Sequence, residues 1–302
     1  MNKGIYFASF TAFLWGFLAI ALKVSLNELP PLTLTWFRFA IAFLVLLIYY
    51  IFFDRSKISI IRKPPVFALI AAVCLGFNYI GYISGINLTT PIIAQVFIQM
   101  GPVLLATSGF IIFKEKVSYS QAIGLGIVVV GLVLFYNEQI VNLAGGLKEY
   151  KLGVMLVLFG ALSWSGYAVF QKFAVKTFNP MQLNLIIFGL PALLLLPFVS
   201  FDKLLALNTN NWLLLIFLGL NTLGAYGSLA YAFKYLEANK ISVIITLNPL
   251  ITMVVMAWLS YKNVSWIKHE VYTLLTVAGA LTVLLGVILT VIRKNKIATL
   301  KQ

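Results

Sequence analysis

The sequence predicts an all-α integral membrane protein with ten transmembrane helices, arranged as two inverted five-helix repeats around a central cavity. Three observations lead to this fold class. Of the 302 residues, 62% are hydrophobic and only 10% are charged, whereas a soluble domain carries about 25% charged residues. Ten apolar runs approach the roughly 20 residues that a helix needs to cross a bilayer. Finally, the features of the first half of the chain recur in the second half.

The composition also excludes several classes of function. The net charge is +14, but the basic residues lie in short connections between apolar runs, where they set membrane orientation, so we expect no nucleic-acid partner. Cys74 is the single cysteine and His269 the single histidine, which leaves too few groups for a metal cluster or a disulfide. We therefore expect no cofactor, no metal and no enzymatic activity, and the lipid bilayer as the surrounding partner.

The predicted spans follow one another with short connections that often open with proline. The first run is longer than the apolar region of a usual signal peptide and has no clear cleavage site, so we interpret it as a retained span. In order, the spans cover residues 4–26, 32–53, 66–87, 91–113, 119–136, 152–175, 180–200, 211–233, 240–260 and 271–292.

The distribution of basic residues predicts the orientation. With the N-terminus in the cytoplasm, fourteen of the 22 lysines and arginines fall on the cytoplasmic side, five on the opposite side and three within spans. Because cytoplasmic connections carry the excess of lysine and arginine, this bias predicts that both termini are cytoplasmic and that the number of spans is even.

A duplication explains the number of spans. The stretch 91–118 returns at 238–265, and a shift of 147 positions places Gly101-Pro102 on Asn248-Pro249. The predicted domains are a first repeat at 1–136, a connecting loop at 137–151, and a second repeat at 152–302 that ends in a basic cytoplasmic tail. Since five spans is an odd number, the second repeat enters the membrane from the opposite side. Such inverted repeats suit alternating access.

An ordered set of motifs runs through both halves of the chain. Its members are Trp15-Gly16, Lys23, Arg38, Pro102, Phe113-Lys114-Glu115, Val117-Ser118, Gly124 and Gly131, then Trp164, Lys172, Pro180, Pro249, Gly279 and Gly286. This set resembles the EamA family of the drug/metabolite transporter superfamily. The second half departs from the family pattern at Lys262, where the family often has a glutamate matching Glu115, and at Ile187, which stands in place of an arginine.

This resemblance implies a ten-helix carrier of a bacterial inner (plasma) membrane. The family includes exporters of amino acids, of other small metabolites and of drugs. We therefore expect a small-molecule substrate held in a cavity between the two halves.

Three basic residues lie within predicted spans. Lys23 and Lys172 each come late in the first span of their repeat, and they either attract a substrate carboxylate at the two cavity mouths or extend to the membrane interface. Arg38 is about two turns into the second span, where a charge is costly unless it has a partner or a watery cavity. It either binds substrate or joins neighbouring helices.

Polar residues and prolines mark two further helices. Gln95, Gln99 and Pro102 share one helix face, and Thr246 and Pro249 recur in the second repeat. Because proline removes a backbone hydrogen bond, we expect Pro102 and Pro249 to kink gating helices whose polar stripes face the substrate. Hydrogen bonding between helices is the alternative.

The remaining candidates form a polar and aromatic lining that would suit apolar, aromatic or amphipathic solutes. Packing against lipid or neighbouring helices is the alternative for each ring. These candidates are Trp15, Asn78, Tyr82, Trp164, Tyr167, Gln171 and Asn221.

From these residues we expect a secondary transporter, an exporter or exchanger of small metabolites, with amino acids or related zwitterionic or anionic compounds favoured by the intramembrane cations. The alternative is efflux of hydrophobic or cationic drug-like compounds. The pair Gly124 and Gly131 suits close helix packing, either within one chain or between the two copies of a homodimer.

Overall fold

The computed structural model describes residues 3–89, 91–116, 118–137, 148–266 and 273–291. Over these ranges the chain consists of helices and short connections, without a strand. The all-helical prediction is confirmed. The basic tail at 293–302 lies outside the described residues.

Within the described residues, the first half contains six α-helices and a 3-10 turn. Proline at position 31 opens the second helix, where its missing N–H costs nothing. Ser118 and Gln121 cap the last helix reciprocally, through Gln121 N to Ser118 Oγ at 3.3 Å and Ser118 N to Gln121 Oε1 at 2.9 Å. The helices are α1 Lys3–Ser25, α2 Pro31–Phe53, α3 Val66–Leu88, α4 Pro91–Ile98, α5 Met100–Ile111 and α6 Tyr119–Phe135, and the 3-10 turn is Arg55–Ile61.

The second half contains seven α-helices in the ranges that the structure describes. Asn179 caps the second of them by accepting from the N–H groups of Met181 and Gln182. The helices are α7 Lys148–Ala174, α8 Pro180–Leu195, α9 Phe201–Leu205, α10 Thr209–Tyr235, α11 Ala238–Ile245, α12 Asn248–Tyr261 and α13 Leu274–Val291, with a 3-10 turn at Leu196–Phe198. Helix α7 begins before the predicted span at 152, and residues 138–147 of the predicted connecting loop lie outside the described residues.

Ten apolar segments account for the predicted spans. Eight are long and apolar enough to cross a membrane, and α6 and α13 are shorter apolar helices. Two of the eight are broken into pairs, α4 with α5 and α11 with α12.

Proline determines where those two helices break. Pro102 has no N–H to donate to the carbonyl of Ile98, and α4 ends at Ile98. In the same way Pro249 cannot donate to Ile245, and α11 ends at Ile245. The two breaks are 147 positions apart, as in the duplication.

The helices pack in pairs that have counterparts in the other half. Helix α3 lies along α7 as α10 lies along α1, and α5 contacts α7 as α12 contacts α1. Helices α2 and α8 contact one another, as do α6 and α13. This pattern is the one expected when two similar five-helix units face each other.

Glycines allow the closest of these contacts. A Cβ added to Gly81 of α3 would lie 2.6 Å from the carbonyl oxygen of Leu156 in α7. One added to Gly131 of α6 would lie 2.6 Å from the backbone nitrogen of Val283 in α13, and one added to Gly124 would lie 2.8 Å from the carbonyl oxygen of Gly286. Gly124 and Gly131 are therefore used for packing within the chain.

Candidate substrate cavity

A small cavity lies between the two halves. Its volume is about 50 Å³, and side chains from nine helices form its walls. The lining residues are Trp15, Leu18, Arg38, Asn78, Tyr79, Tyr82, Gln95, Ile98, Gln99, Pro102, Trp164, Tyr226, Ile245 and Asn248. Ligand pockets for small molecules usually occupy about 300–1,000 Å³, so the cavity has room for a few water molecules only.

The structure brings eight of the sequence-predicted residues together in this lining. They are Trp15, Arg38, Asn78, Tyr82, Gln95, Gln99, Pro102 and Trp164. They come from α1, α2, α3, α4, α5 and α7, together with the residue that joins α4 to α5.

Arg38 is the one charged side chain among the described residues of this lining. It is 1% exposed. Its Nε donates to Thr222 Oγ1 at 3.1 Å, its Nη2 donates to Tyr79 Oη at 3.2 Å, and its guanidinium carbon lies 4.5 Å from the centre of the Tyr79 ring. Across the described ranges Arg38 forms no ion pair with a carboxylate, and Nη1 makes no hydrogen bond. A buried cation therefore faces the cavity without a countercharge.

The two anchors of Arg38 occupy equivalent places in the duplication. Tyr79 follows Asn78 in α3, and Thr222 follows Asn221 in α10, in the repeated pattern Gly-x-Asn-x-x-Gly. Arg38 thus joins α3 and α10 at equivalent positions of the two halves. It also lines the cavity, where the binding of substrate by Arg38 stays a prediction.

Two tryptophans stand opposite each other at the cavity. Trp15 and Trp164 meet edge to face with ring centroids 5.9 Å apart, and Trp15 packs on Tyr226 at 5.3 Å. Both indole Nε1 atoms are buried and have no hydrogen-bond partner within the described residues. Because a buried N–H without a partner is costly, these donors are suited to a ligand or water in the cavity.

The two helix breaks meet across the cavity. Gln99, at the first break, donates through Nε2 to Oδ1 of Asn248, at the second break, at 3.2 Å. The Oε1 atoms of Gln95 and Gln99 are buried and, as far as the described residues show, unpartnered. The cavity therefore presents acceptors beside the breaks as well as donors on α1, α2 and α7.

The asparagines of the repeated pattern join neighbouring helices by hydrogen bonds. Asn78 donates through Nδ2 to the carbonyl of Gly160 at 2.9 Å, and Asn221 donates to the carbonyl of Leu14 at 2.9 Å. Asn78 also borders the cavity, whereas Asn221 serves the contact between α10 and α1.

The other predicted residues lie away from this lining. Thr246 donates to Val243 at 2.7 Å, beside Pro249, which is buried at the start of α12. Gln171 donates to Asn184 Oδ1 at 3.4 Å, and Tyr167 is fully buried against Tyr226.

The two intramembrane lysines bind backbone carbonyls near helix ends. Lys23 donates to Ile86 at 3.1 Å and to Thr89 at 3.0 Å, at the end of α3. Lys172 donates to Leu236 at 2.8 Å, directly after α10. A cation is favourable at a helix C-terminus, so both lysines have a structural role, at equivalent places in the two halves.

Sequence reasoning missed six lining residues, and for some of them a signal existed. Pro102 and Pro249 lack the N–H groups that would pair with the carbonyls of Ile98 and Ile245. The sequence therefore contained a signal that the two helices break at these isoleucines. Tyr79 adjoins Asn78, and Asn248 adjoins Pro249. For Leu18 and Tyr226 we find no signal in the sequence.

The described part of the lining contains no aspartate, glutamate, histidine, serine or cysteine, and no cluster of three or more metal-ligating side chains occurs in the described residues. The cavity therefore offers hydrogen bonds, aromatic faces and one positive charge.

Comparison with known proteins identifies the family to which this chain belongs. The EamA-like transporter family matches residues 2–137 and 151–292. The chain belongs to the EamA-like transporter family. It is 33% identical to an uncharacterized transporter of Haemophilus influenzae over 96% of this chain and 94% of the relative. It is 32% identical to YhbE, an uncharacterized inner membrane transporter of Escherichia coli, over 94% of this chain and 89% of the relative.

The fold of this EamA-like transporter also occurs in a solved crystal structure. That structure superposes with a TM-score of 0.74 at 18% sequence identity and covers 96% of this chain and 98% of its own. The family and the apolar helices together make the protein a multi-pass membrane transporter.

Proposed function

We propose that this transporter carries small metabolites that bear a carboxylate, with amino acids favoured, and that it exports or exchanges them by alternating access. The observation that carries the proposal is Arg38, a 1% exposed cation in the cavity wall. A charge within the membrane is expensive and usually serves a pathway or a ligand. An anionic group entering the cavity would supply the countercharge.

The other polar groups favour a zwitterion over a simple anion. A carboxylate has two oxygens that accept several hydrogen bonds, and Nη1 of Arg38 and the indole nitrogens of Trp15 and Trp164 are three donors for them. The unpartnered Oε1 atoms of Gln95 and Gln99 would accept from an ammonium group. The cavity lining therefore carries donors for the carboxylate and acceptors for the ammonium group of an amino acid.

Two features support alternating access. The cavity, at about 50 Å³, is too small for a metabolite, so helices must separate to admit one. The breaks at Ile98 and Ile245 lie in its wall, and broken helices at a central site are typical of carriers built from inverted repeats. With termini in the cytoplasm, as the basic residues predict, the halves would open in turn to the two sides of a bacterial inner membrane.

The proposal is tested by Arg38→Met, which removes the charge and keeps the length of the side chain. A metabolite screen that compares cells with and without the protein identifies the exported compounds, and their flux is then measured in proteoliposomes. A lost charge-assisted hydrogen bond costs about 1.5–3 kcal/mol, so we expect about a 10- to 150-fold loss of carboxylate flux.

The matched control is Arg55→Met, because Arg55 is an exposed arginine that donates to the carbonyl of Ile51 outside the cavity. We expect this variant to keep wild-type flux. If Arg38→Met, folded and inserted, also transports carboxylates at the wild-type rate, the substrate proposal is wrong.

Efflux of hydrophobic or cationic drug-like compounds is the second candidate. The rings of Trp15, Trp164, Tyr79, Tyr82 and Tyr226 around the cavity favour it, since aromatic faces attract apolar solutes and cations. The positive charge of Arg38 opposes a cation at the same place. Arg38→Met would then raise the efflux of cations, in contrast to its expected effect on carboxylates.

A further inference from the structure

A second pocket lies at one mouth of the protein, beyond the central cavity. We call it the mouth pocket. Its volume is about 310 Å³. It is lined by Glu115, Lys172, Val175, Lys176, Phe233, Lys234, Tyr235, Leu236 and Glu237. It is thus several times larger than the central cavity and carries charges of both signs.

An aromatic layer, formed by Tyr167, Tyr226 and Phe233, separates the two spaces. Tyr226 lines the central cavity, and Phe233 lines the mouth pocket. Tyr167 stands between them, fully buried, with its ring centroid 5.5 Å from that of Tyr226 and 6.5 Å from that of Phe233. Movement of the Tyr167 ring would join the two spaces.

Polar atoms continue through this layer. The hydroxyl of Tyr167 is buried and lacks a hydrogen-bond partner within the described ranges, and so does Oε1 of Gln171. Both residues are on α7, on the same side as Trp164, at spacings of three and four residues. A line of hydrogen-bonding groups therefore runs along α7 from the central cavity to the mouth pocket.

A nearly buried ion pair forms part of the wall of the mouth pocket. Glu115 Oε1 lies 3.3 Å from Lys172 Nζ, and the two side chains are only 8% and 10% exposed. Glu115 also accepts from the backbone N–H of Ala238 at 2.7 Å and of Asn239 at 3.1 Å. A carboxylate at the N-terminus of α11 is favoured by the helix dipole. Lys172 in turn donates to Leu236.

These contacts join elements that must separate if this mouth is to open. Glu115 follows α5 in the first half, whereas Lys172 ends α7 and Ala238 begins α11 in the second half. Gly109 makes the approach of Glu115 possible, because a Cβ there would lie 2.8 Å from Glu115 Oε2. We call the contacts of Glu115 with Lys172, Ala238 and Asn239 the latch.

We propose that the latch and the aromatic layer are the two parts of a gate, which is closed in this structure and which opens this mouth when the latch breaks and Tyr167 turns aside. This inference rests on the alternating access proposed above. The second half has Lys262 at the position matching Glu115, so the opposite mouth lacks this carboxylate. The latch would therefore favour closure of one particular mouth in the empty carrier.

The gate is tested by the accessibility of a reporter cysteine. Ile98→Cys, in the wall of the central cavity, is made in a Cys74→Ser background, and a charged, membrane-impermeant thiol reagent is applied to either side of sealed vesicles. Lys234→Cys, at an exposed residue of the mouth pocket, identifies the side on which the latch lies. No substrate is present.

Glu115→Gln keeps an acceptor oxygen for α11 but removes the charge from the latch. We expect it to raise the rate of reporter labelling from the latch side by about tenfold, as for loss of one charge-assisted bond, and to lower the rate from the opposite side. Lys172→Met breaks the same ion pair and is expected to act alike.

The matched control is Glu237→Gln, which removes an equal charge from the mouth pocket, where Glu237 forms its close ion pair with Lys240 rather than with a residue of the latch. We expect wild-type labelling from both sides. The gate proposal fails if Glu115→Gln and Lys172→Met both label as wild type, or if Glu237→Gln changes labelling as much as they do. Labelling needs no substrate, so its result is independent of the Arg38 experiment. The gate proposal can therefore be supported even if the carboxylate proposal is wrong.

Discussion

At the scale of single residues, the positions of the basic side chains inside the membrane distinguish a residue that lines the cavity from residues that join helices. Arg38 faces a cavity, and its Nη1 has no hydrogen-bond partner in the described part of the chain. Lys23 and Lys172 are committed to carbonyls near helix ends. Their sequence positions made all three candidates of the same kind, but among them only the arginine lines the central cavity, whereas Lys172 belongs to the latch in the mouth pocket.

The indole donors give a prediction at this scale. Trp164→Phe keeps an aromatic ring and removes one unpartnered N–H from the cavity. A neutral hydrogen bond contributes about 0.5–1.5 kcal/mol, so we expect the KM for the transported carboxylate to rise roughly two- to tenfold. Flux is measured over a range of substrate concentrations in proteoliposomes.

Trp36→Phe is the control for that variant, since Trp36 packs against Phe201 away from the cavity. It is expected to leave KM unchanged. Equal KM values for wild type and Trp164→Phe would show that the indole N–H does not contact the substrate.

At the scale of elements, the two broken helices link the sequence to the site. The sequence predicted kinks at Pro102 and Pro249. The structure places the helix ends four residues earlier, at Ile98 and Ile245, because those carbonyls are the ones that proline cannot pair. Both isoleucines line the cavity, and the bond between Gln99 and Asn248 joins one break to the other.

Pro102→Ala tests whether the break matters for transport. The substitution restores an amide N–H at position 102 that can pair with Ile98, and alanine is favoured over proline in a helix interior by about 3 kcal/mol. We expect thermal stability to be kept or increased and the maximal transport rate to fall, because a continuous helix bends less easily.

Pro191→Ala provides the comparison, since Pro191 lies inside α8 rather than at the cavity. It should leave the transport rate unchanged. The gating role of the first break would be refuted by a folded Pro102→Ala protein whose maximal rate equals that of the wild type. Rates are measured in proteoliposomes and melting temperatures in detergent.

At the scale of the whole molecule, the distribution of acidic groups bears on energy coupling. Within the described lining of the central cavity there is neither a carboxylate nor a histidine. Glu115, which the sequence placed in a connection, is nearly buried, but it is committed to the latch at one mouth. Proton relays in membranes usually depend on such groups along the pathway.

We therefore expect substrate to move down its own gradient. In proteoliposomes, an imposed proton gradient without a substrate gradient should produce no accumulation, whereas counterflow against preloaded substrate should be rapid. The Arg38→Met variant serves as the inactive control. Uphill accumulation driven by the proton gradient would overturn this expectation.

The sequence by itself determined the membrane class, the ten apolar segments, the duplication and the two breaks. Each of these depends on local chemistry: apolar side chains in lipid, backbone groups that must pair within a helix, and a proline without an N–H. These properties do not require knowledge of which helices are neighbours.

Only the tertiary structure decided which polar groups meet. Tyr79 and Thr222 hold Arg38 although they lie 143 positions apart, and Glu115 reaches Lys172 across the two halves. Helical periodicity shows which residues share a face of one helix, but not which helix that face contacts. For this reason Asn221, Gln171 and Lys23 were indistinguishable in sequence from residues that line the cavity. The separation of cavity, aromatic layer and latch depends on how helices from both halves pack against one another.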